Sequence, residues 1–248
     1  MIVANLKWKQ VLRSIKHALD NHQPFSMVRI GDGENIVMAQ KSVWSTRRVL
    51  KELWAKKANR GKKGVRLPNL KLRNEMVRSI KKANIVGILV PGDTRTVAHP
   101  RVKRPLTNKI FRYYKLKPRN TCDAVVNRFL AGRKEFWEVL RGRRVLIITR
   151  EAGKLKKILQ KAPYRMDIAG TIVFSDYTQM GRALKQAEEM KNQFDVALIS
   201  CGVNSVVLAP EIARLTGKVA IDFGKGHLVV FKKKRWKWKK RRKAKRGS

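Results

Sequence analysis

Acid is what this chain is shortest of: 17 Asp and Glu stand against 59 Lys and Arg in 248 residues, a formal net charge of +42. Polyanionic surroundings are therefore expected, whether nucleic acid, anionic lipid, a cell-envelope polymer or phosphate-rich substrates. Cysteine is nearly missing too. Cys122 and Cys201 each lie beside an apolar run, which reads as two reduced, buried thiols of a cytoplasmic protein rather than a disulfide, and no paired spacing suits zinc. No run approaches the roughly 18 apolar residues that cross a bilayer, and Met1 to Gln10 has no long apolar core after a basic start, so no secretory leader is expected. A Gly-x-Gly-x-x-Gly turn opening a βαβ unit, a P-loop and a Gly-x-Ser-x-Gly elbow are all missing, which argues against dinucleotide oxidoreductases, P-loop NTPases and serine hydrolases of the elbow type.

What is present is enough apolar material for a substantial core, 43% of the chain, arranged as alternating helices and strands. Asn5 to Asn21 carries an apolar stripe at helical spacing, and Phe25 to Ile30 is an apolar run of strand length. Helical patterns follow at Asn35 to Gln40, Val43 to Ala58, Asn69 to Ala83, Leu106 to Leu116, Glu135 to Leu140, Ala152 to Ala162, Thr178 to Gln193 and Ser205 to Leu215. Strand patterns occur at Ile85 to Val90, Arg144 to Thr149, Ile168 to Phe174, Asp195 to Ser200 and Lys218 to Phe223, while Thr121 to Leu130 reads equally as strand or helix. This alternation predicts an α/β fold, a doubly wound and mostly parallel sheet flanked by helices. Neither an internal repeat nor a Pro-rich linker divides it, so one domain is expected over residues 1–231. The basic, Trp-containing tail 232–248 reads as a solvated, disordered extension. That tail holds twelve cations and no acid, and without it the charge falls only from +42 to +30, so basicity belongs to the whole chain.

The most informative stretch is Arg29-Ile30-Gly31-Asp32-Gly33-Glu34, where an apolar run stops at two carboxylates one residue apart. In an extended or turning backbone such side chains share a side, so Asp32 and Glu34 could converge on one hard cation. Mg²⁺ or Mn²⁺ is commonly held by one or two carboxylates plus substrate phosphates. Gly31 and Gly33 permit a tight turn and close approach of a ligand to the backbone, and Arg29 could neutralise the acids or reach a phosphate. A second such place is Cys201-Gly202-Val203-Asn204-Ser205, between a strand and a helix. There Gly202 admits a close ligand, and Asn204 or Ser205 can cap a helix whose free N–H groups face a phosphate. The loop Pro91-Gly92-Asp93-Thr94-Arg95 follows a strand and is a candidate further wall.

The Arg-Ile-Gly-Asp-Gly-Glu block resembles the opening motif of the GT-D fold glycosyltransferases, an apolar strand ending in Arg, an apolar or aromatic residue and Gly-Asp-Gly-Glu. The stretch from Ser200 to Leu208, followed by Gly217 to Gly224 with its Ile221-Asp222-Phe223-Gly224 ending, resembles the C-terminal part of that family, except that Lys225 stands where the family often has His. His227 lies two residues on. Asn127-Arg128-Phe129 is similar to a Thr-Arg-Phe segment of the family's donor pocket. The resemblance, which spans about Phe25 to Gly224, implies a metal-dependent glycosyltransferase of hexosyltransferase type using a nucleotide sugar, UDP-linked by the family's habit. It implies Asp32, Glu34 and His227 as ligands of Mn²⁺ or Mg²⁺, and Arg29, Gly31, Gly33, Asn127, Arg128, Gly202, Asn204 and Ser205 at the donor. Asp93, with Asp32 and Glu34, is a catalytic candidate. Asp93, His99, Glu151 and Asp176 are the candidates for a base that takes the acceptor's proton.

The expected partners are the nucleotide-sugar donor and a glycan, protein or envelope acceptor, with the enzyme in the cytoplasm or peripheral at the inner face of the membrane. A rival reading rests on charge alone: a polyanion-binding module without catalysis. In that reading Trp236 and Trp238, set among the tail's cations, stack on bases or lie in a membrane interface.

Overall fold

The structure is a computed structural model and describes residues 4–232; the tail from Lys233 onward lies outside them. Seven strands, β1 (Phe25–Ile30), β2 (Ile85–Ile88), β3 (Thr121–Asp123), β4 (Arg144–Thr149), β5 (Asp167–Val173), β6 (Val196–Ser200) and β7 (Val219–Asp222), form one sheet. Its order is β3-β2-β1-β7-β6-β4-β5, and every pairing is parallel. A parallel pair needs a crossover, and helices supply it. In chain order they are α1 (Trp8–Asp20), α2 (Asp32–Met38), α3 (Thr46–Lys51), α4 (Leu53–Asn59), α5 (Leu70–Lys82), α6 (Arg104–Tyr113), α7 (Val126–Gly132), α8 (Lys134–Leu140), α9 (Ala152–Leu159), α10 (Met180–Glu189) and α11 (Ser205–Thr216). A last helical stretch covers 226–232.

The central strands are apolar on both faces because both faces are covered. Along β4, Leu146 and Ile148 pack with α5, α10 and α11 on one side, while Val145 and Ile147 pack with α1, α8 and α9 on the other. β6 and β7 split the same way: Ala197, Ile199 and Ala220 go to the first layer, Val196, Leu198, Val219 and Ile221 to the second. The sheet is thus doubly wound, as its alternation predicts.

Three local expectations are revised. Val43 to Ala58 is two helices, because Glu52 leaves helical geometry at φ −66°, ψ 137° and turns its buried carboxylate to Arg101 at 3.3 Å. Thr121 to Leu130 reads both ways because it is both: β3 passes into α7 within three residues. The third revision concerns the acids: α2 starts at Asp32 and not at Asn35, so the acids occupy a first helical turn instead of the turn before it. The two thiols are buried and free, as expected.

Candidate active site

All seven strands point their carboxyl ends at one cleft of about 1190 Å³, where ligands of open α/β sheets bind. After β1 come Gly31 to Glu34, after β2 Thr94 and Thr96 to His99, after β3 Val125 and Arg128, and after β4 Arg150 and Glu151. β5 contributes Phe174 and Ser175, β6 Cys201 to Val203, and β7 Gly224, Lys225, His227 and Leu228. Helices α3 and α4 and the loop at Lys62 to Gly64 close the remaining side.

On a helix, positions i and i+2 do not face each other, so Asp32 and Glu34 take different tasks. Glu34 is 4% exposed, and its Oε2 accepts the Gly31 N–H at 2.8 Å, tying the end of β1 to the start of α2. Asp32 is half-buried on the cleft wall and has no salt-bridge or hydrogen-bond partner among the described residues. Beneath both lies a buried ion pair, Arg29 Nε to Asp222 Oδ2 at 3.3 Å, with Asp222 wholly buried. Burial pushes the Glu34 carboxyl up, with Arg29 opposing and Asp32 adding to the rise. Burial likewise raises Asp222 to about 6, Arg29 again opposing. Burial works against the Arg29 charge, but Asp222, Glu34 and Asp32 outweigh it and hold the guanidinium more firmly protonated.

The buried Nε of Arg128 has no acceptor among the described residues, and Arg128 lines the cleft. Such a buried polar atom is costly to leave unpaired, and it lies where a polar ligand would enter. Arg128 is depressed by burial and by the neighbouring Arg29. Lys225, where the family often has His, is depressed by burial and by Arg128, while Asp32 pulls it the other way. Asp32 therefore sits among three cations, those of Arg29, Arg128 and Lys225.

His227 does not join the acids. Its Nδ1 lies 2.7 Å from the Gly224 carbonyl, its ring stands edge-on to Phe231, and burial depresses it while Glu151 and Lys154 supply the nearby charges. Among the described residues no group of three or more His, Cys, Asp or Glu side chains comes together as a metal-binding set, so the Asp32, Glu34 and His227 triad does not form. What the wall does offer a hard cation is the unpartnered Asp32 carboxylate, beside a Glu34 that is tied to the Gly31 N–H. That donor set fits Mg²⁺ or Mn²⁺ when substrate phosphates and water complete the shell, and it does not make a site of protein ligands alone.

Several other candidates serve the walls and do not face the cleft. Asp93 is 7% exposed; its oxygens accept from Arg95 Nε at 2.8 Å and Thr96 N at 2.9 Å, and despite burial these bonds hold it below the usual carboxylate range. It shapes the loop after β2. Asn127 donates to the Phe223 carbonyl at 2.9 Å, Asn204 to the Gly64 carbonyl at 2.8 Å, and Ser205 Oγ accepts from Cys201 N at 3.0 Å. Asp176 caps the turn at Thr178. Of the four base candidates, His99 and Glu151 reach the cleft. Asp222 was missed as a site residue, and the signal was there: an acid closing an apolar strand in a chain with 17 acids.

The model of the GT-D fold-like domain matches residues 6–230. The chain belongs to this GT-D-like family. A solved structure, the selenomethionine-substituted domain of unknown function 1792 (DUF1792), is similar with a TM-score of 0.56 at 15% identity, covering 90% of this chain and 78% of that one; at that identity it speaks for the fold alone. No curated protein matches the chain in sequence. The GT-D-like assignment gives the cleft a glycosyltransferase-type fold, with the Arg-Ile-Gly-Asp-Gly-Glu block at the end of β1.

Two glycines of the GT-D-like core are fixed by contact. A Cβ at Gly33 would lie 2.6 Å from the Trp54 ring, and one at Gly224, which has φ +45°, would lie 2.4 Å from Asn127 Nδ2 and 2.6 Å from Arg29 Nε. Gly33→Ala is expected to cost about 1–3 kcal/mol of stability through overpacking against Trp54, measured by urea unfolding. A loss of a few tenths or less would show that the ring yields freely.

Proposed function

We propose that the protein is a metal-dependent glycosyltransferase that uses a UDP-linked sugar. The observation carrying this reading is the unpartnered Asp32 carboxylate, set among Arg29, Arg128 and Lys225 in a cleft at the carboxyl ends of the sheet. A bare carboxylate that shares its wall with cations suits a diphosphate that arrives with a divalent ion: Asp32 would hold the ion, and the guanidinium and ammonium groups would meet phosphate oxygens. When bound, the cation would offset charge on the leaving diphosphate.

The chain's own groups supply the rest. Arg128, with its unpaired Nε, and Lys225 bind phosphate oxygens, and Gly202, exposed on the wall at φ +60°, lets the ligand approach the backbone before α11. The acceptor hydroxyl attacks the anomeric carbon, the bond from that carbon to the diphosphate oxygen breaks, and the nucleoside diphosphate leaves with the bonding pair. His99 or Glu151 takes the hydroxyl's proton. The test is UDP release from a panel of UDP-sugars by the full chain with Mn²⁺. Release from at least one sugar, abolished by EDTA, is expected; release unaffected by EDTA would remove the metal, and none from any sugar would remove the donor class.

A further inference from the structure

Six large apolar side chains stand exposed among the described residues, and three of them line this one cleft: Leu53 at 74% exposure, Val97 at 102% and Leu228 at 39%. They come from three unconnected places, the start of α4, the loop after β2 and the helical stretch 226–232, so no single amphipathic element explains their meeting. The same cleft is lined by Lys51, Lys57, Lys62 and Lys63, none of which pairs with a carboxylate among the described residues. We infer that this rim is a docking face for an anionic lipid surface, with the aliphatic tips entering the headgroup region and the ammonium groups meeting lipid phosphates.

Charge complementarity and side-chain type favour lipid over a soluble polyanion. Exposed Leu and Val gain nothing from a phosphodiester backbone, whereas single-stranded nucleic acid is gripped by aromatic stacking, and the rim's exposed residues are aliphatic. Lysine stems cover apolar surface while their heads reach phosphate, and clustered cations are drawn to anionic leaflets. The 226–232 stretch carries Leu228 into the cleft lining. Resting on the transferase reading, the acceptor would then be presented from the lipid surface into the cleft.

Site-directed fluorescence on the full chain tests this. Both native cysteines are buried and burial raises their thiols, Cys122 to about 12, so an environment-sensitive dye will go to an introduced cysteine. Val97→Cys and Leu53→Cys report on the rim, and Tyr113→Cys, exposed at the far end of α6, is the control. Expected is a blue shift at both rim positions with phosphatidylcholine vesicles containing phosphatidylglycerol, and none at Tyr113, with phosphatidylcholine alone or with heparin. Vesicle binding without a rim shift would assign the attraction to the tail and overturn the proposal, as would an equal shift with heparin or no vesicle binding. The readout contains no sugar donor, so its failure leaves UDP release untouched, and the absence of UDP release leaves the docking result standing.

Discussion

Asp32→Asn is expected to lower UDP release at least about a thousandfold while leaving the melting temperature nearly unchanged, as for loss of one group that stabilises charge in the transition state. The side chain lines the cleft and makes no protein hydrogen bond or ion pair among the described residues, so the fold loses no direct bond when its charge goes, only part of the field that favours the charged Arg29, Arg128 and Lys225. A loss of about 1 kcal/mol or less is expected. The function loses the one carboxylate free to meet a cation, at the place where a leaving diphosphate would gather charge. Glu34→Gln should separate from it. Its carboxylate bonds the Gly31 N–H and its pKa is raised by burial, so the neutral isostere keeps the acceptor and relieves a buried charge. Stability should hold or rise while activity falls less steeply. Equal losses in the two variants would mean that the acids act as one ligand pair after all.

The second large effect concerns the ion pair beneath the site. Asp222→Ala should cost about 3–5 kcal/mol at neutral pH, because Arg29 is left buried without its nearest countercharge. Asp222→Asn, milder in size, exposes the pH signature. Asp222 titrates at about 6 in the folded protein against 3.8 without burial, so the folded state holds this proton more tightly than the unfolded chain. Its contribution is therefore complete below pH 3.8 and is lost as pH rises through about 6, a fall of roughly 3 kcal/mol by linkage. Asp93 and Asp195, whose pKa values are lowered by bonds to Arg95 and Arg144 despite burial, act below that window with the opposite slope. Chemical denaturation between pH 4 and 6 should show a stability that falls more steeply with pH in wild type than in Asp222→Asn, which keeps the same-signed contribution of Glu34 and the opposite one of the depressed His227. Parallel curves would place Asp222 in a wetter setting than its burial indicates.

The sheet was legible because its strands are short apolar runs separated by helical periodicity, and six of the seven could be read that way. The seventh, β3, is three residues long and runs into α7, so period-2 and period-3.6 signals overlap in Thr121 to Leu130. The site was legible where chemistry sits next to a chain break: Gly-Asp-Gly-Glu at the end of β1 and Gly202 at the end of β6. What sequence could not supply was direction. Whether α2 begins at Asp32 or Asn35 decides whether the acids converge or part, and the helix begins at Asp32 with Glu34 bonded back to the Gly31 N–H. Asp93 read as a catalytic candidate because it follows β2, yet its carboxylate is taken up by Arg95 and Thr96, two and three residues on, and it does not line the cleft. Asp222 lay hidden as the last residue of an ordinary core strand, since its partner Arg29 is 193 positions away.

Calorimetric titration of UDP into the full chain, with Mn²⁺ and then with EDTA, bears most directly on the metal-assisted nucleotide site. Binding should be at least about tenfold tighter with Mn²⁺, as expected when a cation bridges a carboxylate and a diphosphate, and that difference should vanish in Asp32→Asn. Equal affinity in the two conditions, or an Mn²⁺ effect that survives Asp32→Asn, would contradict a metal-assisted nucleotide site at the end of β1.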